Sequence, residues 1–143
     1  DDRFPGRAII VHCREAFDDL IPVFAASHLA PERFVFHCFS GNPDELRRVL
    51  DFGAHVSFTG VVTFKGAPEV TESARLIPLE RCLVETDAPY LSPAPHRKEF
   101  PNEPRRVVLV ADCIARARDM AYGDFEAAVD ANARRFFNLP DAD

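Results

Sequence analysis

Three short apolar runs in this 143-residue chain each end on a side chain able to grip a metal ion. Ala8-Ile9-Ile10-Val11 runs into His12, Phe34-Val35-Phe36 runs into His37, and Cys82-Leu83-Val84 runs through Glu85-Thr86 into Asp87. Short runs rich in β-branched and apolar residues read as parallel strands buried on both faces. In α/β proteins, ligands and catalytic groups gather at the carboxyl ends of such strands. Three candidate ligands at three strand ends therefore point to one shared rim and to metal-dependent chemistry.

The spacing of these runs sets the architecture. His12 and His37 are 25 positions apart, His37 and Gly60 are 23 apart, and Gly60 and Asp87 are 27 apart. A strand, a loop, a helix and a return loop fit in each unit. The spacing predicts strands at Ala8–Cys13, Phe34–Cys38, His55–Thr59 and Cys82–Asp87. It predicts helices over about 19–28, 43–52, 68–77, 104–121 and 124–137. Pro22 is acceptable in the first of these only if it falls in the first turn. The second helix has the clearest ends: Asn42 as N-cap, Pro43 at the first position, Glu45 to complete a capping box, and Gly53 to stop it. In the last helix Ala128, Val129, Asn132 and Phe136 share roughly one face. Alternating strand and helix implies a parallel sheet with right-handed crossovers. Four such units are half of a (β/α)8 barrel, which typically takes about 250 residues. A small open α/β sheet fits the same pattern.

Composition narrows the function classes. No linker or low-complexity segment divides the chain, so residues 1–143 read as one domain, long enough to bury a core. No apolar stretch reaches the roughly 18 residues that a membrane helix requires, and no secretory pattern opens the chain. The expected location is the cytoplasm. The chain does not begin with Met, which is consistent with its being part of a longer protein. A net charge of −6 argues against a protein that coats polyanions non-specifically, but cations held in a local site would still attract phosphate. The four cysteines, Cys13, Cys38, Cys82 and Cys113, form no Cys-x-x-Cys pair and are expected as buried free thiols.

Candidate chemistry follows from residue type. Alone, His12 or His37 reads more readily as a core or rim histidine than as a ligand; at matching points of consecutive units the two readings balance, and neutral imidazole suits zinc and similar divalent ions. Glu85 and Asp87 share one parity of the fourth strand, and two acids at a buried strand end are costly unless paired or metal-bound. A salt-bridged strand end is the simpler alternative. As catalytic groups, Asp87 suits a ligand or a base for metal-bound water, and Glu85 an outer partner that orients a ligand. In the Pro-rich loop, His96 and Arg97 suit substrate binding, Arg97 through a bidentate phosphate contact; a solvated turn is the alternative. His28 and His55 read as structural, Thr59-Gly60 as a close turn where backbone approaches substrate, and Arg134-Arg135 as a solvated helix face. The two His-Cys pairs do not support nucleophilic catalysis, because neighbouring strand residues diverge. Phe39-Ser40-Gly41 lacks the first glycine of a Gly-x-Ser-x-Gly elbow.

Taken together, Ile9-Ile10-Val11-His12-Cys13-Arg14-Glu15-Ala16, His37-Cys38-Phe39-Ser40-Gly41, Ser57-Phe58-Thr59-Gly60 and Val84-Glu85-Thr86-Asp87-Ala88-Pro89-Tyr90-Leu91 resemble the TatD family of metal-dependent hydrolases, with Pro95-His96-Arg97 and Asn132-Ala133-Arg134 in support. The resemblance covers essentially the whole chain in order and spacing. It implies a TIM-barrel deoxyribonuclease that cuts DNA phosphodiesters, often from the 3′ end, with two divalent ions (Mg, Mn or Zn) per complete site. It implies that His12 and His37 hold one metal and that Asp87 holds its neighbour. The family also opens with a His-x-His and supplies a bridging Glu near mid-barrel. This sequence has no His-x-His, and the bridging Glu would lie before residue 1, so the match corresponds to strands five to eight, the C-terminal half of the barrel. The expected partner is DNA, as single strands or 3′ ends. The alternative reading is an inactive half-barrel that self-associates through its exposed edges.

Overall fold

The structure, a computed structural model, describes residues 7–140. Four strands form one sheet: β1 (Ile9–His12), β2 (Phe34–His37), β3 (His55–Phe58) and β4 (Cys82–Val84). They lie in the order β1-β2-β3-β4 and every neighbouring pair is parallel. Open doubly wound sheets reverse their strand order at a switch point. This sheet does not reverse, so it winds in one direction as a barrel wall does.

The helices are α1 (Phe17–Ala25), α2 (Pro43–Phe52), α3 (Pro68–Leu76), α4 (Val107–Ala117) and α5 (Tyr122–Phe137). Alternation along the strands divides the apolar residues between two faces. Phe34 and Phe36, Val56 and Phe58, and Cys82 pack with Phe17, Leu46, Val49, Val70, Ala74, Val110 and Ile114 from the first four helices. The opposite face carries Val35 and Leu83, which pack with Phe136. α5 serves both sides: Phe125 and Val129 belong to the main core, whereas Ala133 and Phe136 lie over the second face. Its Asn132 amide donates to the carbonyls of Leu79 (2.6 Å) and Cys82 (2.9 Å), which ties the helix to the amino end of β4.

α2 has the predicted bounds. Asn42 accepts from the backbone N–H groups of Asp44 and Glu45, Glu45 accepts from the Asn42 N–H, and Gly53 takes φ +97°. That left-handed conformation costs glycine nothing and stops the helix. Other predicted bounds move. α1 starts at Phe17 rather than 19, which puts Pro22 in the helix interior. The cause is packing: Phe17 is buried against Phe36 and Phe39, with ring centroids 5.8 and 5.6 Å away. The segment predicted as helix 104–121 is a 3-10 turn at Pro104–Arg106 followed by α4, and the chain turns away where Asp119 takes φ +53°. α5 starts at Tyr122 rather than at 124. β4 stops at Val84, three residues short of the predicted end.

Gly60 admits a close approach, but of the chain's own backbone. A Cβ there would stand 2.2 Å from the Leu91 carbonyl oxygen, so the loop after β4 packs directly on this turn.

Candidate metal centre

Register brings the two histidines together. In the parallel β1–β2 pair, His12 stands opposite His37. Nδ1 of His12 lies 3.1 Å from Nε2 of His37. Two nitrogens each about 2.0–2.1 Å from a tetrahedral cation are about 3.3 Å apart. The pair is thus spaced as two ligands of one ion; otherwise it is joined by an N–H···N bond whose donor depends on tautomer.

Glu85, the first residue beyond β4, braces this pair. One carboxylate oxygen accepts the Cys38 N–H at 2.6 Å, and the other lies 3.7 Å from Nδ1 of His37. The carboxylate therefore faces the far edge of the ring and leaves Nε2 aimed at His12. A carboxylate behind a ligating imidazole fixes its orientation and raises its basicity. The backbone here is unusual: Cys38 takes φ +48°. Its thiol stands 3.7 Å from the Thr59 hydroxyl. Burial pushes the Cys38 thiol pKa up, Thr59 partly offsets this, and the Asp87 and Glu85 charges add to the rise. The group is a thiol at neutral pH and a poor nucleophile. All four cysteines are free; Cys13 and Cys82 are buried, and Cys38 and Cys113 are half-buried.

Asp87 is placed by a loop rather than by a strand. β4 has ended, and Asp87 takes φ +53°, so the expected shared parity of Glu85 and Asp87 does not apply. The Asp87 carbonyl accepts the Tyr90 N–H at 2.9 Å. Asn102, 3% exposed, donates to the carbonyls of Thr86 (3.0 Å) and Tyr90 (2.7 Å) and so clamps the loop on both sides of Asp87. The sequence reading overlooked Asn102, because a lone Asn in a Pro-rich stretch has no periodic signal. Among the described residues, no three His, Cys, Asp or Glu side chains converge as a metal-holding group. The residues here bring two imidazoles together, with a carboxylate behind one of them.

The loop residues sit apart from the imidazoles. The Arg97 guanidinium lies 3.2 Å above the centroid of the Phe64 ring and shares a pocket of about 540 Å³ with Thr63 and Lys65. His96 bonds Glu99 through Nδ1 at 2.7 Å, and Glu99 also pairs with the buried Arg106. That network holds the loop together. His55 is buried on the Phe136 ring, with centroids 4.8 Å apart, at the other end of the sheet.

Comparison with known proteins identifies the family. The profile of the TatD related DNase family matches residues 5–138. The uncharacterized metal-dependent hydrolase YcfH of Escherichia coli K12 is 35% identical over 134 residues, covering 94% of this chain and 50% of that protein. A protein of Erwinia billingiae named as a 3′-5′ ssDNA/RNA exonuclease, TatD, is 35% identical over 136 residues, covering 92% of this chain and 52% of that protein. The crystal structure of YjjV, a TatD homolog from E. coli K12, superposes with a TM-score of 0.85 at 26% identity, covering 93% of this chain and 51% of that one. The chain thus spans about half the length of the curated relatives it matches. With its one-way parallel sheet, its imidazole pair at the strand ends and a family match over nearly its whole length, the chain belongs to the TatD related DNase family of metal-dependent hydrolases.

Proposed function

We propose that the chain forms the C-terminal half of a two-metal hydrolase barrel, about strands five to eight, which cleaves phosphodiester bonds in DNA from the 3′ end. The observation that carries this reading is the 3.1 Å approach of the His12 and His37 nitrogens at two adjacent strand ends. His12 and His37 hold one divalent ion of the Mg, Mn or Zn type, and Glu85 orients His37. Asp87 reaches the second ion or activates its water, and Arg97 and His96 contact the phosphate-bearing strand from the loop. Paired cations supply Lewis acidity at the phosphoryl oxygens and lower the pKa of a bound water. The name of the Erwinia relative supports a nucleic-acid substrate.

A second reading concerns the 143 residues taken alone. They present two imidazoles and no third converging donor among the described residues, so they form a half-site without activity. Ile10 is 62% exposed on the face away from α1–α4, and among the described residues no strand pairs with the outer edge of β1, features that favour self-association.

The two readings meet in one experiment. The 143-residue chain is expected to bind Zn²⁺ and to lose that affinity by more than about 100-fold in His12→Ala, since a direct ligand outweighs an outer one. It is expected to leave 3′-labelled single-stranded DNA intact with Mg²⁺, Mn²⁺ or Zn²⁺, and to sediment as an associated species. A longer chain that completes the barrel is expected to trim the same DNA and to stop doing so in Asp87→Asn. Robust cleavage by the 143 residues alone would reject the half-site reading; Zn²⁺ binding indifferent to His12 would reject the metal centre.

A further inference from the structure

A pocket lies at the amino ends of the strands, at the opposite end of the sheet from the imidazole pair. It has a volume of about 480 Å³ and is lined by Arg33, Arg81 and Arg135, with His55, Glu32 and Glu80. His55 is 8% exposed; its ring lies against the backbone of Phe34 and Glu32, and its Nδ1 makes no hydrogen bond of ordinary geometry among the described residues. A buried polar atom left unpaired calls for a specific explanation. The arginines nearby are held by neutral acceptors. Arg81 donates through Nη1 to the Gly53 carbonyl at 2.7 Å, and Arg135 donates through Nη2 to Oδ1 of Asn132 at 2.6 Å. A guanidinium has five N–H donors, so each keeps several for another acceptor.

We propose that this basal pocket binds an anion, with Nδ1–H of His55 and the remaining N–H groups of Arg81 and Arg135 donating to phosphate or carboxylate oxygens. Two charged forks and one imidazole converging on a cavity suit a multi-oxygen anion, because each N–H···O⁻ bond is charge-assisted. The Arg81 and Arg135 charges, after burial itself, already hold the His55 imidazole in its neutral form. A bound anion would oppose that field. The site is independent of the metal centre and requires none of its residues. The same oxygen chemistry has two sources, a free phosphate-bearing molecule or a carboxylate side chain on another polypeptide segment.

The test is a titration of the full chain, followed by ¹H–¹⁵N correlation spectra of the histidine rings at constant ionic strength. Inorganic phosphate is the probe for the first source and acetate for the second. The expected result is a saturable shift of the His55 ring with at least one of them, together with a rise in the pH at which that ring titrates. Arg135 is on the exposed side of α5, so Arg135→Gln retains the fold and is expected to weaken the response by at least about tenfold. Arg47→Gln, on the outer face of α2 where Arg47 pairs with Asp44, is expected to leave it unchanged. A response to phosphate alone assigns the site to a free phosphate-bearing ligand; an equal or stronger response to acetate assigns it to a carboxylate. Silence of the His55 ring with both probes, or equal weakening by Arg47→Gln and Arg135→Gln, overturns the proposal.

Discussion

His37 and His55 stand on neighbouring strands and face the same side of the sheet, yet their environments are opposite. Val35 pairs with His55 across β2 and β3, and His37 lies two residues further along β2, so the two rings share a face and differ only in height. At the carboxyl ends, His37 is half-buried, meets His12 through Nε2 and has the Glu85 carboxylate behind it. At the amino ends, His55 is enclosed by Phe136 and bordered by the charges of Arg81 and Arg135. One ring is presented with an acid behind it. The other is kept neutral among cations. Chain direction explains the difference: at the carboxyl ends a loop of variable length can bring in a carboxylate, whereas at the amino ends α5 closes over the sheet.

The largest effect expected to sharpen this contrast concerns pH. Burial first, then the Arg81 and Arg135 charges, push the His55 pKa down to about 4 from the ordinary 6.5, partly offset by the backbone of Phe34 and Glu32. In that window the unfolded chain binds the extra proton and the folded chain does not. The stability is therefore fully present above about pH 6.5 and falls as pH drops toward 4, by roughly 2 kcal/mol between about pH 7 and about pH 5. Urea midpoints at the two pH values measure it, and His55→Gln is expected to flatten the slope. An unchanged slope in the variant would assign the pH effect to other groups and break the contrast.

Next in size is the carboxylate behind His37. Glu85→Gln keeps an acceptor for the Cys38 N–H and removes the charge facing the ring. Zn²⁺ affinity is expected to fall by about 10–100-fold, the usual range for an outer partner, with little change in the urea midpoint. Calorimetric titration checks the first and denaturation the second. A midpoint that collapses while affinity holds would make Glu85 a structural brace rather than an orienting group.

The smallest expected effect lies away from both ends. Asn42→Ala removes the acceptor for the Asp44 and Glu45 N–H groups at the start of α2. A loss of about 1 kcal/mol is expected, with Zn²⁺ affinity and the pH slope of His55 untouched. Coupling of either to this substitution would show that rim and base are not separable.

Residues whose signals are local were legible in the chain itself. Asn42, Pro43, Glu45 and Gly53 predict α2 to the residue because capping is decided within a few positions. Three apolar runs and the alternation of Val56 and Phe58 in His55–Thr59 predict the four strands for a similar reason, since alternation and burial leave a short-range imprint. Pro22 and Phe17 show the limit: a proline rule placed the start of α1 at 19, and contacts with Phe36 and Phe39 moved it to 17. The loop around Asp87 was beyond reach for the same reason, because Asn102 clamps it from 15 positions away.

What the amino-acid sequence by itself determined is the set of parts: four parallel strands with crossover helices, a histidine ending each of the first two, and two acids near the end of the fourth run. Tertiary structure alone decided which of these parts meet. Register placed His12 beside His37, the loop after β4 brought Glu85 to the Cys38 N–H, and α5 enclosed His55 against the base of the sheet. The physical reason is range. Capping and periodicity act over one or two turns of chain, whereas strand register, burial and charge act between residues tens of positions apart.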